Sequence, residues 1–154
     1  MAKNLIAGCR ASRAGDDPLV TPKRRLTDQG GKVKYLILMQ VDPAVLEQLT
    51  AEQQEKIGKG HEAFIAATKE NGEFIATQAL ADPSQSKVVR NSGDQPEVTD
   101  GPFLEAKEFM GGFYMIDVEN EARAVELAKQ IPDASIPGLA LEIRPVMFAD
   151  LGDG

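Results

Sequence analysis

The chain has 154 residues with 42% apolar side chains, enough for one domain around one hydrophobic core and too apolar for disorder throughout. Its net charge is −7, yet residues 1–34 hold eight Lys/Arg against three Asp, which leaves −12 on the remainder, so the body is expected to repel phosphate backbones and not to bind nucleic acid. No apolar run approaches the roughly twenty residues of a membrane span, and no secretory signal follows the basic N-terminus.

Residues 1–33 lack any period of 2 or 3.6 and read as a flexible basic tail. Val33 can be encoded by the start codon GTG, and Gly30-Gly31-Lys32 by a purine-rich stretch of the ribosome-binding kind. The tail is therefore expected to be dispensable, either as upstream DNA read as protein or as a basic tether for an anionic partner. The single cysteine, Cys9, has no internal disulfide partner and fits a reducing, cytoplasmic setting.

The domain proper is expected at 34–147, with 148–154 frayed. Residues 34–42 place Tyr35, Ile37, Met39 and Val41 on one face and Leu36 and Leu38 on the other, which predicts a central strand covered on both sides. Asp42-Pro43 ends it. Thr50 and Gln53 have capping-box spacing and predict a helix over 51–71 stopped by Gly72, with Ile57, Phe64, Ile65 and Thr68 inward. Residues 74–81 and 87–90 read as strands, with 97–99 pairing back across the turn Asn91-Ser92-Gly93-Asp94. A compact turn at Asp100-Gly101-Pro102-Phe103 leads into a short helix over 104–109. Gly111-Gly112 release the chain into an apolar strand at 113–118. A second amphipathic helix spans 120–131, with Ala124, Leu127, Ala128 and Ile131 inward, and a last strand spans 139–146. The order is β-α-β, an inserted hairpin and loop, then β-α-β. That is an α+β, ferredoxin-like split βαβ pattern with the first and third main strands central. Both helices then share one sheet face, and the other, apolar face calls for a two-fold partner, a homodimer.

The block Asp100-Gly101-Pro102-Phe103-Leu104-Glu105-Ala106-Lys107-Glu108, with Gly111-Gly112-Phe113-Tyr114, Tyr35-Leu36-Ile37-Leu38 and Glu142-Ile143-Arg144-Pro145-Val146, resembles the DGPF-type branch of the YCII-related proteins over residues 34–147. The resemblance implies a mostly bacterial dimeric α/β barrel of ferredoxin-like protomers. It also implies kinship with a dehydrochlorinase, muconolactone isomerases and cofactor-free monooxygenases, and for some members a sigma-factor-linked regulatory context. It further implies a histidine on the first helix, met here by His61, paired with an aspartate near the end of the second. Asp133 is one match for that aspartate, displaced past Pro132; Asp100 is the partner favoured by chemistry.

His61 is the only histidine, on the inward stripe of its helix, and its ring can accept or donate a proton. A buried, satisfied imidazole is the bland alternative. Asp100 is expected to orient His61 or simply to cap a turn. Phe64, Phe103, Glu105, Lys107 and Phe113 are the candidate ligand-binding residues, although a solvated charge is the readier account of Lys107. One His and one Cys cannot build a zinc site alone, and no phosphate loop or nucleophile elbow is present. No metal or cofactor is expected. Two functions stay open. One is a small-molecule-binding or regulatory protein. The other is a cofactor-independent enzyme using His/Asp proton transfer on a small cyclic or aromatic substrate.

Overall fold

The computed structural model describes residues 31–104 and 106–152. Most of the expected tail, including Cys9, lies outside them. Strand β1 spans Val33–Val41 and is followed by a short helix α1, Pro43–Glu47, a long helix α2, Ala51–Glu70, and strand β2, Phe74–Ala79. A hairpin, β3 (Lys87–Asn91) and β4 (Pro96–Asp100), precedes the ten-residue β5, Phe109–Val118. Helix α3, Glu121–Ala128, a 3₁₀ turn, Pro132–Ser135, and β6, Ala140–Pro145, complete the order.

The main sheet is antiparallel in the order β2-β5-β1-β6, and β3-β4 forms a separate two-stranded ribbon. Strands β1 and β5 are central, as their two-sided apolar runs predict, and the topology is ferredoxin-like. Alternation along these strands divides their side chains between two faces. Tyr35 and Ile37 of β1 and Tyr114, Ile116 and Val118 of β5 form the core with Phe64 of α2, Ala124, Leu127 and Ala128 of α3, and Ile131. Ile37, Ile116 and Ile131 are sealed from solvent completely. The opposite face carries Leu36 and Leu38 beside Met115 and Phe113, register partners across the β1–β5 ladder.

Local chemistry explains most boundaries. Thr50 and Gln53 make the full capping box, Thr50 Oγ1 accepting from Gln53 N and Gln53 Oε1 from Thr50 N. Gly72, at φ +66°, follows the end of α2. Two expectations are corrected and one is extended. Asp42-Pro43 does more than end β1: Asp42 accepts from Ala44 N with Pro43 at the first helical position, and α1 starts there. No helix forms over 104–109; the described residues there are bends, and β5 begins at Phe109. Gly111 lies within β5 as the extra residue of a bulge, since Met39 pairs with Gly112 and Gln40 with Met110.

One ion pair ties the two halves together. Arg123 of α3 donates from Nε to Glu73 Oε1 at 2.7 Å and from a terminal nitrogen to Oε2 at 2.9 Å. Glu73 is buried at the α2–β2 junction, and the Arg123 fork holds its carboxyl below the usual carboxylate range. A carboxylate whose folded-state pKa is depressed contributes stability above its unfolded pKa, about 4.3 for Glu, and loses it as pH falls through the folded value. Urea unfolding followed from pH 7 to pH 3 is therefore expected to show an acid-dependent loss of stability that Glu73→Gln flattens. At neutral pH the same variant should cost about 1–2 kcal/mol, because the fork is partly open to solvent.

Candidate functional site

His61 sits one residue past the middle of α2, with Phe64 and Thr68 buried beneath the same helix. Its Nδ1 lies 2.8 Å from the Tyr114 hydroxyl on β5, and its Nε2 lies 3.0 Å from Asp133 Oδ2 in the 3₁₀ turn after α3. The two rings are near-parallel, with centroids 6.0 Å apart, and Phe64 packs edge-on to Tyr114 at 4.9 Å. The imidazole side chain is 24% exposed and the Asp133 side chain 9%.

The partners fix the tautomer. A carboxylate facing Nε2 needs a donor there, so Nε2 carries the hydrogen and Nδ1 accepts from the Tyr114 O–H. Burial, with the Asp133 charge adding to it, pushes the Tyr114 phenol above its ordinary value, so the hydroxyl stays protonated and acts as a donor. Thr77, the register neighbour of Tyr114 on β2, donates its hydroxyl to Phe113 O. Asp133 Oδ2 is closed to solvent and has no in-line hydrogen bond. The 3.0 Å approach to Nε2 is thus a close contact at a poor hydrogen-bond angle. Such contacts tighten when a ligand completes a site.

The local sequence explains why these groups meet. His61 follows Gly60, and Asp133 follows Pro132. A Cβ built on Gly60 would stand 2.5 Å from Pro132 Cγ, so only glycine lets the 3₁₀ turn lie against α2. Ile131, fully buried, anchors the root of that turn.

The other sequence-predicted residues fall elsewhere. Asp100 is not the partner of His61: it ends β4 opposite Lys87, pairs with the Lys87 ammonium, and is 81% exposed. Phe64 does line the His61 network, through Tyr114. Phe113 alternates with Tyr114 along β5 and points to the sheet face away from the helices. Phe103 is exposed, with the Arg90 guanidinium 4.7 Å above its ring. It lines a cavity of about 920 Å³ with Leu104, Phe109 and Met110, apart from His61. Lys107 is not simply solvated: its Nζ reaches the buried Asp42 carboxylate at 3.1 Å and straps the loop to the β1–α1 junction. Glu105 lies outside the described residues. Sequence reasoning passed over Tyr114, although its place two residues before Ile116 on an alternating strand marks it as inward. Among the described residues no cluster of three or more His, Cys, Asp or Glu could hold a metal, and no helix is long and apolar enough to cross a membrane.

Fold and network together define a ferredoxin-like α+β domain with a histidine–carboxylate pair bridging its first long helix and the turn after its last. The chain belongs to the YCII-related domain family, whose model matches residues 33–148. It is also 27% identical over 119 residues to an uncharacterized protein of Rhizobium meliloti (strain 1021), covering 77% of this chain and 96% of that relative.

The two glycines of α2 separate packing from propensity. Nothing lies within 4 Å of a Cβ at Gly58, so Gly58→Ala should gain about 0.8–1 kcal/mol from helix propensity alone. At Gly60 the same change meets Pro132, and overpacking of about 1–3 kcal/mol opposes that gain. Thermal unfolding should show G58A melting above wild type and G60A at or below it. The His61 ring resonances should move only in G60A.

Proposed function

We propose that the protein is a cofactor-independent acid–base catalyst for a small organic molecule, with His61 as the proton-transfer group. The observation that carries this reading is the chain Asp133–His61–Tyr114, in which one ring nitrogen faces a carboxylate and the other a hydroxyl. The Asp133 carboxylate facing Nε2 favours the hydrogen there, leaving the Nδ1 lone pair as the base. Substrate entry displaces the Tyr114 hydroxyl from Nδ1. A proton from a carbon next to a carbonyl then moves to Nδ1, and its bonding pair delocalises onto the carbonyl oxygen. The imidazolium, facing Asp133, returns the proton to the same or a conjugated carbon, which gives exchange or isomerisation. No oxidant or second substrate enters this balance.

A binding or regulatory role is the second reading. It draws on the nearly complete burial of Tyr114, at 2% exposure, and on the engagement of both ring nitrogens, which leaves none free in the resting state. Deuterium incorporation from D2O into a panel of cyclic enones and unsaturated lactones, followed by NMR, separates the two. The catalytic reading expects exchange by wild type that falls about 10²–10⁴-fold in His61→Asn and less steeply in Asp133→Asn. Exchange at the same rate in wild type and H61N leaves the binding role.

We further propose that the working unit is a homodimer joined through the sheet face of Leu36, Leu38, Phe113 and Met115. The support is the apolar character of that face, on which Leu36, Phe113 and Met115 stay half-exposed in the single chain while Leu38 is buried. Sedimentation at micromolar concentration is expected to give twice the mass of the chain for wild type and a monomer for Met115→Glu. A monomeric wild type at that concentration removes the proposal.

A further inference from the structure

A second concavity lies beside the histidine network, separated from it by the Gly60–Pro132 contact. It is a cavity of about 660 Å³ walled by α1, α2 and the Pro132–Ser135 turn with its following loop. That volume is in the range of sites for small organic ligands. Its apolar lining comes from Val45 and Leu49 on the α1 side, Ile57 on α2, and Ile136 and Pro137 after the turn. Lys56 is the one charged residue in the lining. Lys56 is exposed, and no ion pair involves it among the described residues.

The surrounding walls meet closely. A Cβ at Gly60 would collide with Pro132, and a Cβ at Gly138, where φ is +89°, would stand 2.8 Å from Val45 Cγ2. The two glycines bring the turn against α2 at one end and its loop against α1 at the other, while the space between stays open. The two close approaches frame a concavity that is half open to solvent and holds space for a small ligand.

We propose that this cavity binds a small amphipathic carboxylate, its apolar body against Leu49, Ile57 and Ile136 and its carboxylate on the Lys56 ammonium. Charge complementarity selects the ligand class: in a body of net −12, the cavity offers a single cation and no acid. Gln48, Gln53 and Ser135 supply further hydrogen-bonding groups in the lining. Because Pro132 is a wall of the cavity and the neighbour of Asp133, occupancy is sensed at the His61–Asp133 contact. The binding itself does not depend on His61 being catalytic.

The test uses the full chain with octanoate, octanol and octylamine as probes, followed by amide and histidine-ring NMR. Octanoate is expected to shift amides in 45–60 and 132–137 and to bind at least ten-fold tighter than octylamine. Lys56→Gln should bring octanoate down to octanol, and Lys56→Glu should reverse the order of octanoate and octylamine. Lys56 is exposed, so unchanged His61 signals in the free variants verify folding. Equal affinity for octanoate and octylamine, shifts confined to other residues, or no shifts up to millimolar octanoate overturns the proposal. These outcomes are independent of deuterium exchange at His61, so either reading can fail alone.

Discussion

The close approach of Gly60 to Pro132 is the constraint on which the site depends. Each of these residues precedes one member of the His61–Asp133 pair, so the contact between the Gly60 backbone and the Pro132 ring sets the distance between His61 and Asp133. Glycine inside a helix costs about 1 kcal/mol relative to alanine, and at Gly60 that cost is offset by packing no other residue allows. Gly58 has no such neighbour, and nothing in the structure explains it. The helix thus holds two glycines of unlike standing two residues apart, and only the one beside His61 shapes the site.

The second determinant is the alternation of β5. Tyr114, Ile116 and Val118 enter the core, and Tyr114 comes up beneath α2 with its hydroxyl at Nδ1 of His61. Phe113 and Met115 take the other face, where Leu38 and Leu36 stand opposite them in register. One strand therefore serves two faces: a hydrogen-bonded interior toward the helices and an apolar, half-buried face opposite. The charged groups that surround it are placed at its margins. Glu73 and Arg123 join the sheet edge to α3, and Asp42 takes Lys107 at the start of α1. In each pair the carboxylate is the buried member, so the acidic body keeps these charges paired where desolvation is greatest.

Much of this was legible in the amino-acid order, and the remainder was hidden for identifiable reasons. Two-sided apolar runs marked β1 and β5 as central, and the 3.6-residue stripe put His61 inward, because burial leaves a periodic trace. The carboxylate partner left none. Pro132 reads as a helix stop, and a stop says nothing of a 3₁₀ turn that folds back onto another helix. Asp100, set in a conspicuous Gly-Pro-Phe block, attracted the role by its surroundings, yet a Lys87 directly across the hairpin satisfies it. In place of the expected helix over 104–109 the chain bends into β5, and the largely exposed Lys107 reaches Asp42, a residue distant in sequence. Neither contact leaves a trace in the local sequence.

The Pro132–Ser135 turn joins the two sites mechanically. Its root is fixed by Ile131, its backbone is closed by Ala134 N donating to Ile131 O and Ile136 N to Asp133 O, and its exit is held by Gly138 against Val45. A turn clamped at both ends and bonded internally moves as a unit. Pro132 and Ile136 face the cavity and Asp133 faces the imidazole, so a displacement of the cavity wall is also a displacement of the carboxylate. The Asp133 oxygen is already off the ideal line at 3.0 Å from Nε2. A small tilt of the turn is then sufficient to bring it into line or to take it out of contact, because hydrogen-bond strength falls steeply with angle.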